Sequence, residues 1–333
     1  MVDEKVVFLM ESIFVAIPSM EDTETSSTIR NAIESAEHPD RIHVGVSFKD
    51  LSKKEYKRVL ELSKKYPNIS IEFIKLKKGN ISQYGTGDGR YRSHNLYSGQ
   101  DYMLQIDSHT HFDKNWDSYL INSFKEFKDK SKLEKIVLTS YVPFYSYKPE
   151  RSKHEGEFSL PRYPYLVVDK FLLEYLPQWD DMTIPKEMNL EKFIPCVKFN
   201  GAFAFGDKNF INNTGVFKDA IFYDEELIQS ISLIGNDFAL VFLNVQDFPI
   251  AHLYSDDINE FGGKRTYFGD LLSTKDQEKI ADKAVSNYIN FISDPKNIKS
   301  VKKYERYAKM DTRRGPLFHR YIPKSFTCED FNE

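Results

Sequence analysis

Between residues 13 and 76 the chain repeats one rhythm: apolar run, amphipathic stretch, apolar run, amphipathic stretch, apolar run. Residues 13–20, IFVAIPSM, read as a strand ending at Pro18. Residues 28–36 read as a helix, with Ser26 or Ser27 as candidate caps. His38-Pro39-Asp40 breaks it. Residues 41–48 are a second strand, 54–66 an amphipathic helix, and 69–76 a third strand. Strands alternating with helices need crossover connections, and those place the strands parallel in one sheet. The expected fold class is α/β: a single Rossmann-like domain with a mostly parallel central sheet.

The same alternation continues. A polar loop, 78–90, carries Gly79, Gly85, Gly87 and Gly89, and a helix over 91–97 leads to a short apolar strand, 102–106. Later come a helix at 117–130, a strand at 135–141 and a long Pro- and Tyr-rich loop at 143–164. Residues 194–206 read as a strand broken at Gly201. A helix spans 223–232, strands span 238–245 and 249–254, and a helix spans 275–293. The expected organisation is one domain over 1–270, with a helical, basic extension over 271–333 packed on it.

With 333 residues, 41% of them apolar, the chain can bury a sizeable core. A net charge of -4 gives no bulk nucleic-acid signal. Cys196 and Cys328 do not make a disulfide framework, so a reducing compartment is expected. The run Val6–Met10 is too short to span a bilayer. These features read as a cytoplasmic protein without a membrane partner.

The chemistry concentrates in residues 101–113, DYMLQIDSHTHFD. Asp107, His109 and His111 follow the strand at every second position, so they share a face if it stays extended. A carboxylate with imidazoles at a strand end is half of a divalent-cation site. In open α/β sheets, ligands gather at the carboxyl ends of the strands, where Asp107 lies. Two chemistries fit. An amidohydrolase has His-x-His at its first barrel strand, but here the motif comes after βαβαβ, with only His154, His252 and His319 downstream. A nucleotide-sugar transferase holds its metal on a short acidic motif, with a later His as third ligand; His252 follows a strand-like run. Glu225 and Glu226 head a helix, where acids also suit its dipole.

The surrounding residues resemble glycosyltransferase family 60, the cytoplasmic hydroxyproline-polypeptide N-acetylglucosaminyltransferases. The likeness starts at Ile13–Ser19, continues through Pro39–Val46, and is strongest at Leu104-Gln105-Ile106-Asp107-Ser108-His109, with Phe112 and Trp116-Asp117 following. Looser matches are Leu138–Tyr141, Gly201–Phe205, Glu225-Glu226, Gly235–Phe238, His252–Tyr254 and Tyr304–Asp311. Asp224 stands where the family has Gly.

The resemblance implies a GT-A fold and a UDP-sugar donor such as UDP-GlcNAc. Manganese or magnesium would sit on Asp107, His109 and His252, the first two forming an Asp-x-His motif. Arg90 or Arg92 would reach the nucleotide or diphosphate. Gln105, Ser108, Gly201 and Ala202 would line the donor site, and Asp107, Glu225 and Glu226 would serve the chemistry, with retention at the anomeric carbon. A protein hydroxyl is the implied acceptor. The basic segment 296–324 raises a modified DNA base as an alternative acceptor, and a non-catalytic sugar-binding protein is the reading of another class. His111 is expected outside the ligand set, and Trp116 in the core.

Overall fold

The computed structural model describes residues 11–51, 53–77, 83–145, 147, 163–172, 176–182, 191–213, 215–222, 224–245, 248–254, 272–317 and 321–327. The run Val6–Met10, Gly79, His154, His319, Cys328, most of the 143–164 loop and the 270/271 boundary lie outside them.

The βαβαβ rhythm is realised in β1 (Ile13–Met20), α1 (Thr25–Ser35), β2 (Ile42–Asp50), α2 (Lys54–Lys65) and β3 (Ile69–Lys75), with parallel pairing of β1 with β2 and of β2 with β3. β1 runs on through Pro18 instead of stopping there. Its pairing with β4 (Tyr102–Ile106) ends at Ala16, so beyond that point proline's missing N–H costs no ladder bond on that side. α1 starts at Thr25, ahead of the candidate caps Ser26 and Ser27. Asp22 prepares its entry instead, accepting the Glu24 N–H.

After β4 come β5 (Thr110–Phe112), α4 (Trp116–Ser131), β6 (Ile136–Thr139), β7 (Phe144–Tyr145), and the paired β8 (Tyr163–Leu172) and β9 (Leu176–Met182). The expected broken strand at 194–206 is two separate strands. β10 (Phe193–Pro195) pairs with β12 (Ala239–Leu243) at one sheet edge, and β11 (Phe203–Asp207) lies antiparallel between β4 and β6. α5 (Lys208–Asn213), α6 (Glu225–Gly235), β13 (Ile250–Leu253), α7 (Thr274–Ser293) and α8 (Ile298–Ala308) complete the main elements.

The central sheet has eight strands in the order β10-β12-β6-β11-β4-β1-β2-β3. It is a mixed sheet, mostly parallel, and open at both ends, which removes the closed barrel that the amidohydrolase reading needs. Its two faces bury two apolar layers. One packs α1, α2 and α4 through Ile29, Val59, Trp116 and Phe124; the other packs α6, α7 and α8 through Ile231, Tyr288 and Tyr304. α7 and α8 belong to this second layer, and Tyr304 sends its hydroxyl to the Val197 carbonyl. Trp116 is core, donating its indole N–H to the Ala32 carbonyl at 2.8 Å. Among the described residues, no helix is long and apolar enough to cross a membrane.

A second, small sheet, β5-β13-β7, stands beyond the carboxyl end of β4. It is the element that positions the site.

Candidate active site

Asp107 leaves the end of β4, and His109 sits in the turn before β5. β13 pairs antiparallel with β5, setting His252 opposite Thr110, and the Leu253 N–H bonds the His109 carbonyl at 3.0 Å. This register closes a sequence separation of more than 140 residues. Asp107, His109 and His252 each offer a ligand atom, and these atoms lie within 4.8 Å of one another. His252 Nε2 is 3.1 Å from Asp107 Oδ2, and the two imidazole rings stand nearly perpendicular, 4.4 Å apart. One carboxylate and two imidazoles make a mixed oxygen and nitrogen donor set that would suit a divalent transition metal such as manganese better than magnesium, which prefers all-oxygen sites. His111 stands outside this group, stacked flat on Tyr145.

Arg90 is the hinge between this triad and the acidic pair on α6. α3 (Thr86–His94) begins earlier than the glycine-rich spacing predicts, so Gly87 and Gly89 are helical. A side chain at Gly87 would strike the Phe217 carbonyl, which is why this helix can approach so closely. Arg90 and Arg92 are two helical residues apart, about 200° around the axis. Arg90 therefore turns inward and is buried. Its Nη2 meets Asp107 Oδ1 at 3.0 Å and its Nε meets Glu225 Oε1 at 2.5 Å. Arg92 turns the other way, to Glu72 and Asp88, and the structure does not bring it together with the triad.

The two acids that share Arg90 titrate in opposite directions. Burial opposes ionisation of Asp107, but Arg90, His252 and His109 outweigh it and hold the carboxyl well below its usual range. Burial dominates at Glu225, aided by neighbouring Glu226, and pushes it up to about 7 despite Arg90. Glu226 has a separate partner: Lys198 Nζ at 2.6 Å, from a side chain 1% exposed. It also accepts the Gly201 N–H at 2.8 Å. The bland account of Glu225 and Glu226, simple helix-dipole acids, does not cover these contacts.

Gly201 lies against this cluster. A Cβ there would stand 2.7 Å from Arg90 Nη2 and 3.3 Å from Glu225 Oε1. Ala202 follows, its N–H held by the Asn200 side chain. Gln105 lies beneath: its amide donates to the Gly201 carbonyl at 2.9 Å, so its oxygen faces His94 Nε2 as acceptor. Burial and then Arg90 push His94 down to about 4, leaving it a neutral donor. Ser108 is buried and donates to Asp22. Asp22, which the sequence reading missed, also meets His109 Nδ1 at 2.5 Å. An acid two residues past β1 at the carboxyl edge of the sheet was the signal available.

A cavity of about 540 Å³ opens beside His109, between α1 and the small sheet, with Arg30, Glu34, His111 and Tyr145 among its walls.

A family model described as Glycosyltransferase (GlcNAc) matches residues 57–255. Among solved structures, the chain is similar to GalNAc-T7, crystallised with UDP, GalNAc and Mn2+, at TM-score 0.53 and 15% identity; the alignment covers 91% of this chain and 55% of that one. It is also similar to the mannosyltransferase PcManGT from Pyrobaculum calidifontis, in complex with GDP-Man and Mn2+, at TM-score 0.47 and 10% identity, over 91% of this chain and 72% of that one. A third similar structure is S. aureus TarS 1–349, at TM-score 0.44 and 12% identity, over 90% and 78% of the two chains. The chain thus spans about half the length of the GalNAc-T7 chain. No curated protein matches it. At 15% identity the likeness to GalNAc-T7 is one of fold.

Proposed function

This chain belongs to the GlcNAc glycosyltransferase family, and from that premise we propose that it transfers a sugar, GlcNAc from UDP-GlcNAc, to an acceptor hydroxyl in a cation-dependent reaction. The observation that carries the reading is the convergence of Asp107, His109 and His252 beside the Arg90–Glu225–Gly201 cluster. A divalent cation held by that triad would neutralise charge on the departing diphosphate.

The chain's own residues supply the rest. Asp107, kept ionised by Arg90, presents a permanent anionic ligand. Arg90, fixed by two carboxylates, directs its remaining N–H groups toward the donor phosphates. Gly201 and Ala202 give the sugar room against the backbone. Glu226, anchored by Lys198, keeps Gly201 in place, and Glu225 hydrogen-bonds the sugar or acceptor hydroxyl near the anomeric carbon. Ser108 and Gln105 support this surface from beneath. With retention, the acceptor oxygen bonds the anomeric carbon from the face that the diphosphate leaves, and the hydroxyl proton passes to the departing phosphate oxygen. No dedicated base is needed.

A hydroxyproline-type protein hydroxyl is the acceptor that this reading favours. In the described part of the basic segment, α8 turns Lys299, Lys302 and Arg306 to solvent while Val301, Tyr304 and Tyr307 pack inward, the pattern of a solvated face. The test is direct: protein, UDP-GlcNAc, Mn2+ and a hydroxyproline peptide. A mass gain of one N-acetylhexosamine on the peptide, abolished by chelator, supports the proposal. Release of no UDP from any nucleotide sugar returns the chain to the sugar-binding reading.

A further inference from the structure

We propose that Asp22 is the positioning residue that fixes the tautomer of His109 and thereby sets the cation affinity of the Asp107–His109–His252 triad. The inference rests on the reading of that triad as a cation site. Asp22 is 2% exposed and lies in the turn between β1 and α1. Its Oδ2 faces His109 Nδ1 at 2.5 Å and takes the Ser108 hydroxyl at 2.9 Å. Its Oδ1 takes the Glu24 N–H at 2.9 Å. A carboxylate only accepts, so the ring nitrogen facing it carries the proton. The other nitrogen, Nε2, keeps its lone pair for a metal. Such an outer carboxylate orients a ligating imidazole and raises its basicity, and its loss lowers metal affinity by about 10–100-fold.

Two observations separate this role from general support. The metal loop has its own anchors on α1: Thr28 Oγ1 donates to the Ser108 carbonyl at 2.9 Å and accepts the Thr110 N–H at 3.0 Å. Asn31 likewise brackets the Phe112 backbone, accepting its N–H at 2.6 Å and donating to its carbonyl at 3.2 Å. The loop therefore stays docked without Asp22. The turn carrying Asp22 is also fixed independently. Glu21 sits there at φ 53°, its N–H held by Asp50 and its carboxylate by the Leu51 N–H.

Asp22→Asn keeps the volume but offers one oxygen and one amide to three donors. Where the amide faces His109, the ring must take the opposite tautomer, with Nε2 protonated and unable to ligate. The first test is long-range 1H–15N NMR of the native protein without metal. The expected result is a protonated Nδ1 and an unprotonated Nε2 on His109; the reverse tautomer overturns the proposal. The second is an Mn2+ titration by electron paramagnetic resonance. Asp22→Asn should bind Mn2+ about 10–100-fold more weakly than native protein, with a melting temperature in chelator close to native. Native-like affinity in Asp22→Asn overturns the proposal, as does weakened affinity that only tracks a lowered metal-free melting temperature. If the variant does not fold, the tautomer measurement on native protein decides. Native protein that binds no Mn2+ but shows the expected tautomer sinks the triad reading, and with it the effect of Asp22 on cation affinity, whereas the reverse tautomer in protein that binds Mn2+ sinks the role of Asp22 alone.

Discussion

Asp107 and Glu225 touch the same guanidinium, yet burial and charge leave them in opposite states. Asp107 has Arg90 plus two imidazoles, and its carboxyl is held well below the ordinary range. Glu225 is pushed up to about 7 by burial, with Glu226 beside it, although Arg90 and a Thr86 hydrogen bond pull it down. One buried cation cannot hold two buried acids equally. The acid with the additional positive neighbours stays ionised, and the other becomes a group that exchanges its proton near neutrality. Paired acids pushed apart in this way are how one site separates roles. In the proposed function they would separate a cation ligand, Asp107, from a group beside the sugar, Glu225.

The largest expected effect comes from removing what they share. Arg90→Met leaves Asp107 and Glu225 without their buried counter-ion and should cost about 3–5 kcal/mol. Denaturant unfolding at pH 8 would show it, and a loss under about 1 kcal/mol would mean that the guanidinium does not bind the two acids as described.

Glu225→Gln tests the weaker partner. Glu225 rises from 4.5 to about 7, so between those pH values the folded protein holds a proton that the unfolded chain has released. Stability from this group therefore falls as pH rises through that window and is level above it, by at most about 3 kcal/mol. Asp50, raised by burial from 3.8 to about 7, slopes the same way. Glu225→Gln should thus flatten part of the fall while leaving Mn2+ affinity native. An unchanged slope removes Glu225 from the comparison.

Gly201→Ala presses a methyl group onto Arg90 Nη2. A loss of about 1–3 kcal/mol is expected from overpacking, with transfer activity falling further than stability because the guanidinium must move. Thermal melts beside turnover would reveal a neutral substitution. The smallest effect is choice of ion: with two imidazoles among three ligands, Mn2+ should bind more tightly than Mg2+ by at least about tenfold. Equal affinities in calorimetry would point to an oxygen-dominated site.

Much of this was legible in the sequence, because alternating apolar and amphipathic stretches report local periodicity. The βαβαβ start, β4 and the Asp-x-His turn follow from patterns within a few residues. What failed were features decided at long range. Gly201 read as a break in one strand, but β10 and β11 pair with different neighbours, which no local pattern records. The start of α3 was obscured by glycines that serve close packing against Phe217 and Pro18. Arg90 and Arg92 stood equal as candidates until the helix start was known, and then about 200° of rotation distinguished them. Asp22 carried only the weak signal of an acid just past β1, because its partner His109 lies 87 residues away. His252 was reachable because a His on a strand-like run is a short-range signal, although its pairing with β5 is not.

The central claim is that these residues form a cation-dependent nucleotide-sugar site. The most direct measurement is calorimetric titration of UDP into native protein and into Asp107→Asn, with Mn2+ and with chelator. The account predicts UDP binding by native protein in Mn2+, a loss of at least about tenfold in chelator, and no Mn2+ enhancement in Asp107→Asn. UDP binding of equal strength in all four titrations, or no binding in any, would contradict it.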